Sequence, residues 1–116
     1  MPDSIAWSPP PELAERSNVG QFMRRHGIAD YHELLRRSTE DIAWFWQAVV
    51  EDLGIEFYEP YRQVVDASSG IPWARWFVGG KINIVQNCVD KHVQSSRRDK
   101  LAVIGETESG DVRSLT

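Results

Sequence analysis

The sequence predicts an α+β protein in which four or five short helices are followed by a small β-hairpin. Three observations lead to this fold class. Capping patterns recur in the first half of the chain, and each marks a helix start. Apolar residues then recur at helical spacing between residues 42 and 53. Residues 101–116 read as two short strands around a polar turn, which is typical of a hairpin.

Composition narrows the class of protein further. The chain has 116 residues, enough for one small domain, and its formal net charge of -4 gives no general attraction to nucleic acid or anionic membranes. No apolar run approaches the roughly 20 residues needed to cross a bilayer, and one cysteine cannot form an internal disulfide. We therefore expect a cytoplasmic protein without nucleic-acid or membrane partners. The five tryptophans are expected mainly at burial sites, with docking surfaces as the alternative.

Four helices are predicted before residue 55. The second carries Arg24, Arg25 and His26 near its end, where positive charge favours the helix dipole; a phosphate site is the rarer explanation, because anions prefer helix starts. Each helix has a predicted capping residue, and two have a glycine stop. The caps are Ser8 before Pro9, Asn18 with Gln21, Asp30 with Glu33, and Ser38 with Asp41, and the stops are Gly27 and Gly54.

The fourth of these helices has the clearest periodicity. Its apolar residues form one broad face, which is far more often a core face than a cofactor site. The predicted face consists of Ile42, Phe45, Trp46, Val49, Val50 and Leu53.

Residues 75–92 organise the rest of the chain. An extended aromatic run with Trp76 and Phe77 buried is predicted to end at Gly79-Gly80, where glycine permits a sharp turn. A helix then starts at Asn83, with Gln86 three residues on as its reciprocal cap. Its predicted apolar stripe contains Val85, Cys88, Val89 and either His92 or Val93. After it, residues 101–104 suggest a buried strand, residues 106–111 a turn and residues 112–116 a return strand.

Cys88, Asp90 and His92 suggest a metal site or a thiol nucleophile with a nearby base. Helical residues two apart point about 200 degrees away from each other, so Asp90 cannot share a ligand with either neighbour. Cys88 and His92 can meet, but zinc needs more donors than these two, and a cysteine on an apolar stripe is usually a small buried hydrophobe. We therefore predict no catalytic, cofactor-binding or metal-binding residue in the chain.

Charged residues elsewhere have ordinary structural explanations. Four basic residues after the aromatic stretch suggest a solvated connector, with an anionic ligand site as the alternative, and the acidic pairs fit helix surfaces or turns. Gly79-Gly80 alone does not make a phosphate-binding loop. The basic residues are Lys91, Arg97, Arg98 and Lys100, and the acidic pairs are Glu40-Asp41, Glu51-Asp52 and Glu106 with Glu108.

The chain resembles the N-terminal segment of AMP-forming acetyl-CoA synthetases and related short-chain acyl-CoA synthetases. The resemblance covers roughly residues 38–116, is looser upstream, and departs mildly at Lys81-Ile82 and Lys91. It is carried by Phe45-Trp46, Val49, Leu53-Gly54, Pro60-Tyr61, Trp76-Phe77, Gly79-Gly80, Asn83, Asn87-Cys88, Asp90, His92, Ala102-Val103-Ile104 and Glu106.

This resemblance implies a fragment of the large N-terminal domain of an adenylate-forming enzyme. Such enzymes activate a short-chain carboxylate with ATP and magnesium and transfer the acyl group to coenzyme A, using motifs downstream of Thr116. The chain is thus expected to be inactive alone, with the remainder of the same polypeptide as its partner. The implied subdivision is a leading helical arm at 1–37, a helical core at 38–100, and a hairpin at 101–116 that starts the AMP-binding domain.

Two further expectations remain open at this point. The resemblance implies that part of the apolar helix surface packs against the rest of the polypeptide. We therefore expect the helices to pack loosely against each other and the chain to self-associate through that surface. A freestanding helical interaction module that binds a partner through its aromatic face is the alternative to a synthetase segment.

Overall fold

A computed structural model describes residues 7–116. The chain divides into two compact units, Met1–Gly54 and Ile55–Thr116. The predicted α+β class is confirmed: among residues 7–116, five α-helices are accompanied by two separate two-stranded antiparallel sheets. Within the described residues, no helix has the length and apolar character required to span a membrane.

The first unit contains four helices. They are α1 (Pro11–Arg16), α2 (Asn18–Arg25), α3 (Tyr31–Glu40) and α4 (Ile42–Asp52). Glycine ends α2 and α4 as predicted, because Gly27 and Gly54 adopt φ values of 63° and 58° that are easily reached only without a Cβ.

Three of the four predicted capping residues were wrong, although α2 does begin at Asn18 as predicted. Ser8 does not cap α1, which begins after Pro10 without a side-chain cap. The cap of α2 is Ser17, whose Oγ accepts a hydrogen bond from the Gly20 amide, so Asn18 is already helical. Asp41, not Ser38, caps α4, because α3 continues through Glu40. Neighbouring residues with similar capping side chains make the sequence pattern ambiguous by one to three positions.

The third start was predicted correctly. The Glu33 amide donates to Asp30 Oδ1 at 2.8 Å, and Glu33 Oε2 accepts from the Ala29 amide at 2.7 Å. These two reciprocal bonds fix the entry to α3 in the manner of a capping box.

The core of the first unit lies between α2, α3 and α4. Phe22 is buried in it, with its ring centroid 6.3 Å from that of Trp44 and 6.1 Å from that of Phe45. The guanidinium of Arg37 lies 3.6 Å from the Trp44 ring centroid, which adds a cation–π contact. The buried residues of this cluster are Phe22, Ile28, Leu34 and Ala48, and Met23, Trp44, Phe45 and Val49 pack against them.

The predicted face of α4 was partly wrong. Phe45, Val49 and Val50 point inward, but Ile42, Trp46 and Leu53 are exposed, and the most buried residue is Ala48, only 3% exposed. The cause is that α4 is apolar around most of its circumference, so periodicity alone cannot select a face.

The second unit holds both small sheets. Strand β1 (Gln63–Asp66) pairs with β2 (Arg75–Val78), and β3 (Val103–Glu106) pairs with β4 (Val112–Leu115). The predicted hairpin is confirmed, although Glu106 belongs to β3 and not to the turn. The expectation that residues 101–104 form a buried strand was wrong, because every residue from 101 to 116 is exposed.

The predicted helix after Asn83 spans residues 84–93. Its middle, Gln86–Asp90, is a π-helix, and its last turn is α5 (Lys91–Val93). The predicted apolar stripe is not covered, since Val85, Val89 and Val93 are exposed and so is Cys88.

The tryptophans were mostly not buried. Trp7, Trp46, Trp73 and Trp76 are exposed, and only Trp44 packs against the buried cluster. Exposure of this kind favours the second explanation for their number, namely surfaces that other polypeptide can cover.

Candidate functional site

The residue around which the second unit is organised is Asn87, and it is 9% exposed. Its Oδ1 accepts from the Glu56 amide at 2.8 Å, and its Nδ2 donates to the Glu56 carbonyl at 2.8 Å. Nδ2 also reaches the Asn83 carbonyl at 3.2 Å, and Lys91 Nζ donates to Oδ1 at 3.3 Å. One amide side chain therefore pairs with both backbone groups of a residue 31 positions away, as a neighbouring strand would.

The segment 56–62 is fixed to residues 78–87 at two further points. The Lys81 amide donates to the Glu59 carbonyl at 2.9 Å. The side chains of the same two residues also pair, with Lys81 Nζ donating to Glu59 Oε1 at 2.7 Å. The Arg62 amide donates to the Val78 carbonyl at 2.9 Å. These contacts run antiparallel along the two segments and hold the turn at Gly79-Gly80 between them.

The helix cap predicted at Asn83 is confirmed. Asn83 Oδ1 accepts from the Val85 amide at 2.9 Å. Within the described residues the Gln86 side chain makes no reciprocal bond to Asn83, so the predicted box is incomplete. The π-helix that begins at Gln86 adds a wider turn at Asn87, and such turns are frequent where a helix serves a specific role.

Three aromatic rings pack beside the glycine pair. The ring centroids of Phe57 and Tyr61 are 4.9 Å apart, and those of Tyr61 and Phe77 are 5.1 Å apart. A Cβ on Gly80 would come within 2.9 Å of Phe57 Cδ1, so glycine is required there by close approach. Phe77 itself adopts φ 46°, an uncommon value for a non-glycine residue, and is half-buried. The predicted burial of the Trp76-Phe77 pair therefore holds only for Phe77.

An ion pair lies at the loop end of the β1–β2 hairpin. Asp66 and Arg75 face each other in the register, and the Arg75 guanidinium donates to Asp66 Oδ2. The Ser68 amide donates to Asp66 Oδ1 at 3.0 Å. The pKa of Asp66 is lowered to about 2, mainly by this bond and further by hydrogen bonds from the Ser68 hydroxyl and Arg75. A charged carboxylate therefore fixes the start of the 67–74 loop.

The residues considered for chemistry do not converge on a reactive centre. Cys88 is exposed and free, and His92 lies one turn further along the same helix. Among residues 7–116, no group of three or more His, Cys, Asp or Glu side chains could hold a metal ion. The absence of catalytic and binding residues stays a prediction, because nothing in the geometry tests it.

The basic residues were separated by the fold. Lys91 turns toward Asn87, whereas Arg97, Arg98 and Lys100 line a cavity beside Cys88 and His92. At the end of α2, Arg24 donates to the Glu15 carbonyl and Arg25 pairs with Asp52 at 2.6 Å, so both have partners inside the first unit.

Sequence reasoning missed Asn87 as the organising residue. In the sequence of residues 75–92, Asn87 is simply one polar residue beside Cys88. A lone asparagine between two helical apolar positions is the pattern that could have identified it, because a buried amide needs partners from another segment.

Comparison with known proteins extends the resemblance over most of the chain. A family model described as the acetyl-coenzyme A synthetase N-terminus matches residues 31–88, half of the chain. The acetyl-coenzyme A synthetase of Methanothrix soehngenii is 36% identical over 107 residues, covering 90% of this chain and 16% of that protein. The acetyl-coenzyme A synthetase of Mycobacterium tuberculosis is 37% identical over 114 residues, covering 97% and 15%.

A relative that is named for another substrate also matches. The 3-hydroxypropionyl-coenzyme A synthetase of Metallosphaera sedula is 40% identical over 86 residues, covering 74% of this chain and 13% of that protein. Among solved structures, the acetoacetyl-CoA synthetase from Streptomyces lividans matches with a TM-score of 0.80 and 24% identity, over 95% of this chain and 18% of that one. This structural likeness shows the fold alone.

The chain spans about 15% of the length of the acetyl-coenzyme A synthetases that it matches. The family match includes α3, α4, the aromatic Gly-Gly turn and Asn87. The chain therefore belongs to the acetyl-coenzyme A synthetase N-terminus family.

Proposed function

We propose that the chain is the N-terminal structural part of an AMP-forming acyl-CoA synthetase. The observation that supports this most is the family match across residues 31–88, which includes the segments joined by Asn87. The proposed enzyme activates a short-chain carboxylate, such as acetate or propionate, with ATP to an acyl-adenylate and transfers the acyl group to coenzyme A. ATP, magnesium and coenzyme A are bound by other parts of that enzyme, which is placed in the cytoplasm.

In this proposal the residues described here supply no reacting group. Their task is to present surfaces to the remainder of the same polypeptide. The distribution of apolar side chains supports it, because residues 101–116 leave every strand residue exposed, including Val103, Ile104 and Val112. A strand pair with apolar residues and no cover of its own is more stable when another surface packs against it. We propose the subdivision into a leading helical arm at 1–37, a helical core at 38–100 and a hairpin at 101–116 that starts the AMP-binding domain.

Isotope exchange between pyrophosphate and ATP tests the proposal. The 116-residue chain should show no exchange with acetate or propionate. A chimera that replaces the matching segment of the Methanothrix soehngenii enzyme with this chain should regain acid-dependent exchange, because the scaffold contacts are restored. Exchange catalysed by the chain alone would refute the proposal, and so would a folded chimera without exchange. The matched control is the intact relative measured in parallel.

A freestanding interaction module is the second candidate. It is favoured by the tip of the β1–β2 hairpin, where Ile71 is 86% exposed and Trp73 is 73% exposed in a short 3₁₀-helix, Ile71–Trp73. Large apolar residues in that position are typical binding anchors. Light scattering on the chain alone separates the candidates. A defined oligomer formed through these residues, together with an inactive chimera, supports the module; a monomer with an active chimera supports the synthetase part.

A further inference from the structure

A cavity in the second unit combines positive charge with an apolar floor. Its volume is about 290 Å³. Its apolar lining, here called the floor, contains Val89 and Val93 from the helix and Leu101 and Ala102 from the segment before β3. The remaining lining residues are Arg97, Arg98, Lys100, Cys88, His92 and Thr116.

The charge of this cavity is opposite to that of the chain. The whole sequence has 17 acidic and 13 basic residues, yet the residues that line the cavity include two arginines and a lysine and no aspartate or glutamate, with Thr116 also in the lining. Like charges held close together repel one another, so an arrangement of this kind is stabilised by an anion.

These cations are available to a ligand. Within residues 7–116, Arg97 and Lys100 form no ion pair, and Arg98 pairs with its neighbour Asp99 at 3.8 Å, where both side chains are largely exposed. An exposed pair of that length contributes little. The backbone that carries them is fixed by turns, since the Arg98 amide donates to the Ser95 carbonyl at 3.2 Å and the Lys100 amide donates to the Arg97 carbonyl at 3.0 Å.

The size of the cavity favours a small ligand. Pockets for drug-sized ligands occupy about 300–1,000 Å³, and this cavity lies at the lower end of that range. The three cationic side chains match a dianion better than a monoanion. The planar guanidinium groups of arginine can also donate two hydrogen bonds at once to phosphate oxygens. The floor formed by Val89, Val93, Leu101 and Ala102 adds room for a short apolar group.

We propose that this cavity binds a small organic phosphate, a phosphomonoester with a short apolar body, at a site separate from the acyl-transfer chemistry. The proposal does not depend on the proposed function, because that function assigns no ligand to these residues and binding is measured on the 116-residue chain itself. Arg97 and Lys100 bind the phosphate, and the valine floor contacts the apolar body.

Calorimetric titration with phenyl phosphate at constant ionic strength tests it. The 116-residue chain should bind one equivalent, and inorganic phosphate and benzoate should bind at least several-fold more weakly, because each lacks either the apolar body or the second charge. The double variant Arg97→Gln/Lys100→Gln should weaken binding by about tenfold or more. Arg113→Gln, an exposed arginine on β4 outside the cavity, is the matched control and should stay within about twofold of the unaltered chain.

A second measurement does not depend on any variant. Phenyl phosphate should shift the amide resonances of Val89, His92 and Ala102 along one saturable curve. Shifts confined to other residues would overturn the proposal. The proposal would also be overturned if phenyl phosphate and inorganic phosphate bound with equal affinity. It would be overturned as well if the double variant and Arg113→Gln lost binding equally.

Discussion

The two units of this chain are stabilised in different ways. All five buried hydrophobic residues among the described ones lie in the first unit: Phe22, Ile28, Leu34, Ala48 and Val50. The second unit has one buried residue among those described, and it is the polar Asn87. The first unit is thus held by an apolar core, whereas the second is held by hydrogen bonds and an aromatic cluster.

The difference separates a unit that buries an apolar core of its own from a unit that does not. Apolar burial is the dominant favourable term in folding, and net hydrogen bonding contributes less. A unit that buries one amide and leaves its strands exposed is therefore expected to gain stability from a covering surface. We propose that the rest of the synthetase polypeptide provides that surface.

The largest expected effect is in the first unit. Phe22→Ala removes a ring that contacts His26, Trp44 and Phe45, and should destabilise this unit by about 3–5 kcal/mol. Urea unfolding followed by tryptophan fluorescence measures the loss. Leu13→Ala, at an exposed position of α1, should change stability by less than about 0.5 kcal/mol. An equally small effect of Phe22→Ala would show that the apolar cluster does not hold the unit.

The next effect isolates the hydrogen bonds between Asn87 and the backbone of Glu56. Asn87→Ala leaves both backbone groups of Glu56 without their partner and should cost about 2 kcal/mol, within the usual penalty for lost buried hydrogen bonds. The amide exchange rate of Glu56 and the thermal midpoint of residues 55–116 report it. Gln86→Ala, one residue earlier in the same π-helix but exposed, is the control and should be nearly neutral. Equal effects of the two changes would remove Asn87 from its organising role.

A smaller effect tests the aromatic turn. Gly80→Ala places a Cβ within 2.9 Å of the Phe57 ring and 3.0 Å of Tyr61 Cβ, so the ring must move at a cost of about 1 kcal/mol. The ring resonances of Phe57 and the unfolding midpoint should both shift. Gly105→Ala is the matched change in β3, where an added Cβ meets no atom within 4 Å. If the two alanine variants have the same midpoint, close packing at Gly80 is not a constraint.

The smallest effect depends on pH. The pKa of Asp66 is lowered in the folded state to about 2, so its contribution to stability is fully present above its ordinary pKa of 3.8 and is lost as the pH falls through 2. The midpoint difference between the unaltered chain and Asp66→Asn should therefore shrink between about pH 4 and pH 2. A difference that stays constant across this window would contradict the depressed pKa.

Sequence patterns predicted the elements better than their packing. Asp30, Gly27 and Gly54 were identified correctly because caps and stops depend on a few adjacent residues. The hairpin at 101–116 was found for the same reason. The inward face of α4 was predicted only in part, because a helix that is apolar on most sides takes its orientation from α2 and α3 and not from its own pattern.

The candidate site was predictable only as a region. Residues 75–92 include Asn87, but the partner of Asn87 lies 31 residues away and its pairing with Glu56 cannot be deduced from spacing. The cavity with Arg97 and Lys100 has the same origin, since three-dimensional folding brings the basic connector beside Val89 and Val93.

Hydrogen exchange on the 116-residue chain and on its chimera with the Methanothrix soehngenii enzyme tests the difference between the units most directly. In the chain alone, the amides of α2, α3 and α4 should exchange at least about tenfold more slowly than those of β3 and β4, and in the chimera β3 and β4 should become protected. Equal protection of both units in the chain alone, or unchanged exchange at residues 101–116 in the chimera, would contradict the claim that the second unit depends on a covering surface.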